Sequence, residues 1–524
     1  MTAEVATGNC PIAGGDFENA GSATGELKRK LKLIGASPDA ARRAVIAAYE
    51  AELNVVIHAT SGTMQYAIDN DKVDVLVSDV GPGIPDIDRA MQEGFSTASP
   101  KARELGFGAG MGLPNILKNT DDFEISSEPG VGTKVSFRVF LTPQTPAEAR
   151  HASVRVIEER CNGCLRCVTA CPTHALRVRG NQPRLLEHLC IDCAEGMAVC
   201  PQRVFALPHG AADELPQECV LVAPSALLAQ FPGRVGAEKL RNALRDKGVR
   251  DLIVSDGYEA ALRKAVARYA MSEARNLPVI APFCPAVVNL IEFRFPSLIG
   301  HLAPFLSPLE AALMDTKGRR SVFAVLCPSQ ATALRRLGLP AENMLTPAAV
   351  CQAARPSLNG SAASARMENP AAGSDAPGRL EVSGIRHVKS VLESLENGRL
   401  KDVSILELYS CDQGCFGSPL LFVNPFVARC RWSPEPETGG RAVPAFRRQK
   451  SFSPRRGVRL DDDMALAIEK LGGIDRLAKS LPGKNCAACG APDCASFAED
   501  VVLGRAVLSE CPHLKDTEVR REAN

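Results

Sequence analysis

"VDVLVSDVGPGIPD", Val73–Asp86, decides the fold of the first part of the chain. Apolar and polar residues alternate through its first half, the period of a strand with one buried face. The strand runs into Asp79, and Gly81 and Gly83 then remove the side chains that would keep a flat ligand off the backbone. Upstream, "PDAARRAVIAAYEAELNVVIHAT" (38–60) repeats apolar side chains at helical spacing, with Glu50 and Asn54 four apart on one face. A carboxylate and an amide one turn apart can jointly hold a metal ion and a water. Downstream, "GFGAGMGLPNI" supplies Gly106, Gly108, Gly110 and Gly112 ahead of a helix, where backbone N–H groups form an anion site for phosphates. "EPGVGTKVSFRV" then adds Gly130, Gly132 and Thr133 leading into a strand.

The chain around this segment has 524 residues, which at about 100–200 residues per domain predicts several modules. Lys and Arg total 61 against 60 Asp and Glu, so no global field favours nucleic acid or an anionic membrane as a partner. The first residues lack a basic region followed by an apolar core, and the longest apolar run, "VIAPFCPAVVNLI", is too short to span a bilayer. These features predict a soluble, cytoplasmic protein. Nineteen cysteines in a reducing compartment point to metal ligation rather than disulfides.

Fifteen of those cysteines fall into three groups. "CNGCLRCVTACP" sets Cys161, Cys164, Cys167 and Cys171 in the Cys-x2-Cys-x2-Cys-x3-Cys-Pro run typical of iron–sulfur ligation, in which the fourth cysteine of two-cluster versions serves the other cluster. "CIDCAEGMAVCP" keeps Cys190, Cys193 and Cys200 but has Gly196 at the third position. Crossing the fourth ligands gives Cys161, Cys164, Cys167 and Cys200 for one cluster, and leaves Cys190, Cys193 and Cys171 for the other. That second site is short of a thiolate; a three-iron cluster, a four-iron cluster with an open or non-cysteine ligand, and no cluster all stay open. The next group, Cys284, Cys327, Cys411 and Cys415, lies in the turns "APFCPAVVNLIE", "FAVLCPSQ" and "ELYSCDQGCFGSP" of a region alternating short apolar strands with helices, an α/β pattern. The last group is Cys486, Cys489, Cys494 and Cys511. Four thiolates there also satisfy zinc. Cys10, Cys219, Cys351 and Cys430 stand outside these groups and read as structural or incidental.

The glycine series around Asp79 closely resembles the ATP-binding (GHKL) fold shared by histidine kinases and gyrase, and most of all its anti-sigma-factor serine kinase branch. That resemblance implies that Glu50 polarises the attacking nucleophile, Asn54 ligates Mg2+, Asp79 accepts from the adenine amino group and the Gly106 to Gly112 loop wraps the phosphates of ATP. No phosphoacceptor histidine box precedes it. Residues 217–430 resemble the catalytic domain of iron-only hydrogenases, which implies that Cys284, Cys327, Cys411 and Cys415 hold a cubane. The family's proton-relaying cysteine is here Phe283, its lysine Gln330, its methionine Tyr409 and its tryptophan Val287. A hydrogen-producing centre needs a titratable group beside the metal, and phenylalanine offers none. The last cysteines are similar to a small iron–sulfur domain of electron-transfer and corrinoid proteins.

The expected architecture is a multidomain α/β and α+β chain. After a tail (1–24) come a GHKL α/β sandwich (25–142), a ferredoxin-like domain for two 4Fe-4S clusters (151–210), an α/β iron-only hydrogenase-like domain (217–435, with a flexible insertion at 354–385) and a small helical Fe-S domain (455–520). Three to four 4Fe-4S clusters, ATP and Mg2+ are the expected cofactors. The basic stretch "RRQKSFSPRRG" reads as a solvated connector. The expected function is a redox-responsive regulator whose iron–sulfur centres act on a serine kinase-like module, with an anti-anti-sigma-type protein or a redox partner. The alternative is an electron-transfer or hydrogenase-related accessory subunit with ATP-gated electron flow, not itself a fast hydrogenase.

Overall fold

The computed structural model describes residues 6–98, 110–141, 152–208, 216, 218–231, 235–358, 378–400, 402–432, 445–455, 460–461 and 463–514. Gly106 and Gly108 lie outside these residues. Contacts divide the chain into two compact units, 1–148 with 456–524, and 149–455.

The first unit is built on β1 (Ala6–Ala13), α1 (Ser22–Leu33), α2 (Pro38–His58), β2 (Ser61–Ile68), β3 (Lys72–Val80), α3 (Gly112–Lys118), β4 (Asp122–Glu128) and β5 (Gly132–Phe140). The strands form one antiparallel sheet in the order β1-β2-β3-β5-β4. Val73, Val75 and Val77 of β3 point inward opposite Val139, Phe137 and Val135 of β5, while Leu76 faces out. Leu27 and Leu31 of α1 and Ala44, Ala48, Ala51 and Val55 of α2 complete this core. Ser37 caps α2 by accepting from Ala40 N, with Pro38 in the first turn where no N–H is missed. α1 has only Gly21 at its N-cap; the buried Glu52 carboxylate of α2 takes over, accepting from Gly21 N, Ala23 N and Thr24 N at 3.0, 3.2 and 2.9 Å. A carboxylate there satisfies orphan donors and complements the helix dipole. It also ties α1 to the helix that carries Glu50 and Asn54.

The described residues from 460 to 514 belong to the first unit and contribute to its core. The helix Met464–Ser480 buries Ala467, Ile468, Leu471 and Ile474 in the core that holds Leu27 and Leu31, packing on α1 and β1. Leu460 N donates to Leu33 O at 3.0 Å, and Lys30 Nζ reaches Asp475 Oδ2 at 2.5 Å. An amphipathic helix shows in sequence that it must cover something, but not what.

The second unit carries two parallel sheets, as the α/β pattern predicts. One orders its strands Val249–Val254, Cys219–Ala223, Ser321–Ala324 and Met344–Leu345; the other orders Val279–Ala281, Ile405–Tyr409 and Arg379–Ser383. Cys219–Ala223 is buried throughout, as a strand covered on both faces must be. Ahead of these sheets, the short helices Arg166–Ala170 and Glu195–Val199 pack together beside two small antiparallel ribbons.

The insertion at 354–385 is structured at both ends: a helix runs on to Leu358 through Pro356, and Arg379–Ser383 pairs with Ile405–Tyr409. Its middle, 359–377, lies outside the described residues. The basic connector is exposed or half-buried over its described residues apart from Arg455, as a solvated segment is, but its arginines are tethered. Arg447 pairs with Glu273, Arg448 with Glu310 at 3.2 Å, and Arg455 donates from its backbone to Glu292 O at 2.8 Å. Counting charge could not reveal that glutamates from distant elements consume it. Among the described residues no helix is long and apolar enough to cross a membrane.

Candidate nucleotide site and cysteine centres

Glu50 and Asn54 of α2 face the start of α3. A Cβ at Gly112 would lie 3.2 Å from Asn54 Oδ1 and 3.5 Å from Glu50 Oε2, so the helix begins directly over the pair. Asn115, one turn on, donates Nδ2 to Glu50 Oε1 at 2.7 Å. Burial raises the Glu50 carboxyl, and the Asn115 bond opposes the shift. At the end of β3, Asp79 Oδ1 accepts from Thr133 N at 3.2 Å; burial raises this carboxyl too, again against a hydrogen bond. Gly83 (φ 69°) and Gly132 (φ 151°) need glycine twice over: their backbone angles disfavour side chains, and a Cβ would lie 2.3 Å from Glu128 O or 2.1 Å from Asp79 O. Gly81 and Gly110 belong to the same loops, Gly110 at φ 73°.

Asn115 and Ser127 escaped the sequence reading. Ser127 Oγ lies 2.9 Å from Thr133 Oγ1 and accepts from Ile84 N at 2.7 Å, fixing the turn after Gly83 to the β4–β5 hairpin. Asn115 carried a usable signal, an amide three residues after the last glycine of the series. Ser127 carried none, since cross-strand partners depend on register.

In the second unit the cysteine loops repeat. Leu165 (φ 61°) and Ala194 (φ 67°), each in the left-handed region, launch the two short helices directly after Cys164 and Cys193. Burial, then the Cys200, Cys161 and Cys164 thiols, push Cys167 up to about 11. Cys193 is raised by burial, then by Cys171 and Cys190. Such thiols stay protonated unless a cation takes the proton's place.

Cys284 and Cys327 cap the helices Pro285–Arg294 and Pro328–Arg336, and Cys411 and Cys415 flank the turn after Ile405–Tyr409. All follow the carboxyl ends of parallel strands, where α/β folds place ligands. Burial raises Cys411, followed by Cys327, Cys284, Cys415 and, from the neighbouring loop, Cys193. Around this centre stand the residues that depart from the hydrogenase pattern. The Phe283 ring lies 6.0 Å from Tyr409, with the Arg263 guanidinium 4.9 Å over it. Arg263 and Arg379 both pair with buried Glu407, at 3.4 and 2.7 Å. Gln330 Oε1 accepts from Leu326 N at 2.7 Å, and its Nε2 approaches Cys415 Sγ at 3.9 Å. Val287 is buried in the helix after Cys284.

In the first unit, Cys486, Cys489, Cys494 and Cys511 line one small cavity together with Phe497. Asn485 (φ 47°) and Ala487 (φ 58°) are again left-handed without being glycine, and Asn485 Oδ1 accepts from Cys494 N at 2.9 Å. Strained residues in cysteine loops turn backbone N–H groups toward an anion such as a thiolate-bound cluster. Gln413 (φ 59°), between Cys411 and Cys415, is also left-handed, with its N–H donated to Ser383 Oγ at 3.3 Å.

Residues 16–139 match the histidine kinase-like ATPase domain family. The serine/threonine-protein kinase RsbT of Bacillus subtilis is 33% identical over 97 residues, covering 18% of this chain and 67% of that protein. Through this domain the chain belongs to the histidine kinase-like ATPase family. An anti-sigma F factor of a Thermoanaerobacter species is 34% identical over 97 residues, 64% of its length, so the chain spans about two thirds of these curated relatives. Beyond the ATPase domain, residues 154–177 match the 4Fe-4S binding domain, 218–318 match the C-terminal domain of the iron only hydrogenase large subunit, and 481–513 match an Fe-S cluster family. The corrinoid/iron-sulfur protein large subunit of Moorella thermoacetica is 47% identical over 38 residues, 7% of this chain and 8% of that one. An FeFe-hydrogenase structure aligns with 42% of this chain and 84% of its own at 12% identity and a TM-score of 0.30.

Proposed function

We propose that the chain is a redox-responsive regulator in which iron–sulfur centres govern an ATP-binding, serine kinase-type domain. In this reading Glu50 polarises the nucleophile, Asn54 holds Mg2+, Asp79 and Thr133 take the adenine, and the glycine loops take the phosphates. An anti-anti-sigma-type protein with an acceptor serine is the partner suited to that chemistry. The observation that carries the coupling is the shared core: the helix leading into the four-cysteine module at 486–511 is built into the ATPase domain against α1 and β1. Metal binding by such a module is folding free energy, so cluster state acts on that core. The test is nucleotide turnover and phosphotransfer by the anaerobic holoprotein at controlled potential. Rates should change as the clusters are reduced; rates indifferent to potential would sink the reading.

One observation favours the alternative, a role in electron transfer. Ser410, the residue before Cys411 of the hydrogenase-like centre, donates its Oγ to Cys193 O of the three-thiol site at 3.5 Å, so the two cysteine loops meet.

A further inference from the structure

The repeat in the second unit places Gly196 where Cys167 stands in the first half. A Cβ at 196 would meet Leu176 Cδ1 at 3.2 Å and Phe205 Cε2 at 3.4 Å. Both side chains are buried and apolar, so the corner lacking its thiol is walled by groups that cannot ligate iron. Two of the remaining three thiols nonetheless accept backbone hydrogen bonds. Ala175 N donates to Cys171 Sγ at 3.1 Å and Asp192 N to Cys190 Sγ at 3.4 Å. The 190–193 loop is clamped on several sides. Buried Asp192 accepts from Thr332 Oγ1 at 2.7 Å and Ser153 N at 3.2 Å, Asn289 Nδ2 donates to Ile191 O at 3.2 Å, and Arg455 Nη1 to Cys190 O at 2.8 Å. A loop held this way keeps its shape without a fourth ligand to gather it.

We infer that Cys171, Cys190 and Cys193 hold a three-iron, four-sulfide cluster that takes up a ferrous ion at the Gly196 corner. The inference rests on reading these loops as iron–sulfur centres. The reduced three-iron core, one ferrous and two ferric ions with four sulfides, carries no net charge. A ferrous ion binds three of its sulfides and completes its shell with water, giving a four-iron core of charge +2. No electron moves and no protein bond breaks. Because Ser410, the residue before Cys411, donates its Oγ to Cys193 O at 3.5 Å, iron uptake adds that charge beside the hydrogenase-like centre.

The full chain, purified anaerobically and oxidised with ferricyanide, should show the paramagnetic signal of one three-iron cluster. Reduction with dithionite followed by ferrous ammonium sulfate should convert it, so that the signal no longer returns on mild reoxidation. Gly196→Cys with Leu176→Ala should abolish the signal and add one iron per chain, and Gly196→Cys alone, whose Cβ meets Leu176 Cδ1 at 3.2 Å, should do so less completely. Cys190→Ser should also remove the signal, whereas Cys161→Ser should leave it. A four-iron spectrum at both sites of the unmodified chain would overturn the inference, as would a three-iron signal that survives in both Gly196 variants. A chain without iron at either site would overturn the cluster reading along with it.

Discussion

The ATPase site and the hydrogenase-like centre have been treated oppositely within one chain. In the first, the residues that the family chemistry asks for stand together: Glu50 and Asn54 under Gly112, Asp79 tied to Thr133. In the second, four cysteines follow the carboxyl ends of parallel strands, but the groups that the hydrogenase resemblance asks for are replaced by Phe283, Gln330 and Tyr409, and arginine–glutamate pairs fill the neighbourhood. A scaffold can thus keep its metal ligands while losing the groups that would make the metal reactive. In the proposed reading, one site keeps its chemistry and the other keeps only its cofactor cradle.

The largest effect should come from the retained side. Asn54→Ala removes an oxygen ligand proposed for Mg2+ without touching the core, and hydrogen bonds or ligation to charged groups are worth about 1.5–3 kcal/mol. Magnesium-dependent nucleotide affinity should fall roughly tenfold to a hundredfold by that measure. Calorimetric titration with and without Mg2+ checks this, and unchanged metal dependence would remove Asn54 from the site.

Next comes the joint between the ATPase domain and the four-cysteine module. Lys30 is 4% exposed and Asp475 21%, with Glu26 a further 3.6 Å from Lys30. Removing one partner of a buried pair costs about 3–5 kcal/mol, and the partial exposure of Asp475 and the presence of Glu26 bring the expectation for Asp475→Ala to about 2 kcal/mol. Thermal unfolding of the first unit should shift down, with faster amide exchange in α1. Lys30→Met with Asp475→Leu should recover much of the loss. If Asp475→Ala leaves α1 exchange unchanged, the joint does not transmit.

The cysteine groups and glycine series were legible because their ligands lie within a few residues of one another, so spacing alone carries the chemistry. Longer-range facts were not. That Met464–Ser480 covers α1, that Glu52 caps a helix about 30 residues away, and that Arg447, Arg448 and Arg455 are consumed by glutamates and a carbonyl all depend on tertiary meetings. The left-handed Leu165, Ala194, Gln413, Asn485 and Ala487 were hidden for another reason: propensity assigns such angles to glycine, and here packing and ligation geometry override it.

A smaller effect tests the electrostatics of the ATPase site. Burial raises the Glu50 carboxyl, so its charged form is disfavoured in the folded state. The folded protein therefore holds the proton to higher pH than the unfolded chain, and stability falls as pH rises from the unfolded carboxylate range through the raised value. Glu50→Gln keeps an oxygen for Asn115 Nδ2 and removes the charge. It should be slightly more stable than the parent at neutral pH, with the advantage vanishing in acid. Melting temperatures compared across pH decide it; an advantage independent of pH would mean that the charge is not the cause.

The smallest expected change is on the side that lost its chemistry. The parent protein, supplied with a two-iron cofactor, should neither evolve nor consume hydrogen, because Phe283 cannot deliver a proton and Gln330 cannot present a cation. Phe283→Cys with Gln330→Lys should restore little. The lysine would abandon Leu326 N, a buried donor that now relies on Gln330 Oε1 at 2.7 Å, at a cost of about 1–3 kcal/mol. The cysteine would sit beside Tyr409 and an Arg263 engaged with Glu407, a neighbourhood set up for ion pairing rather than for seating a second metal group. Adding Tyr409→Met is the step that would first open space there. Hydrogen evolution from a low-potential donor, measured across this series, separates the two causes. Appreciable rates in the double variant would mean that the proton path alone was missing, and rates in the parent would return this centre to the catalytic class.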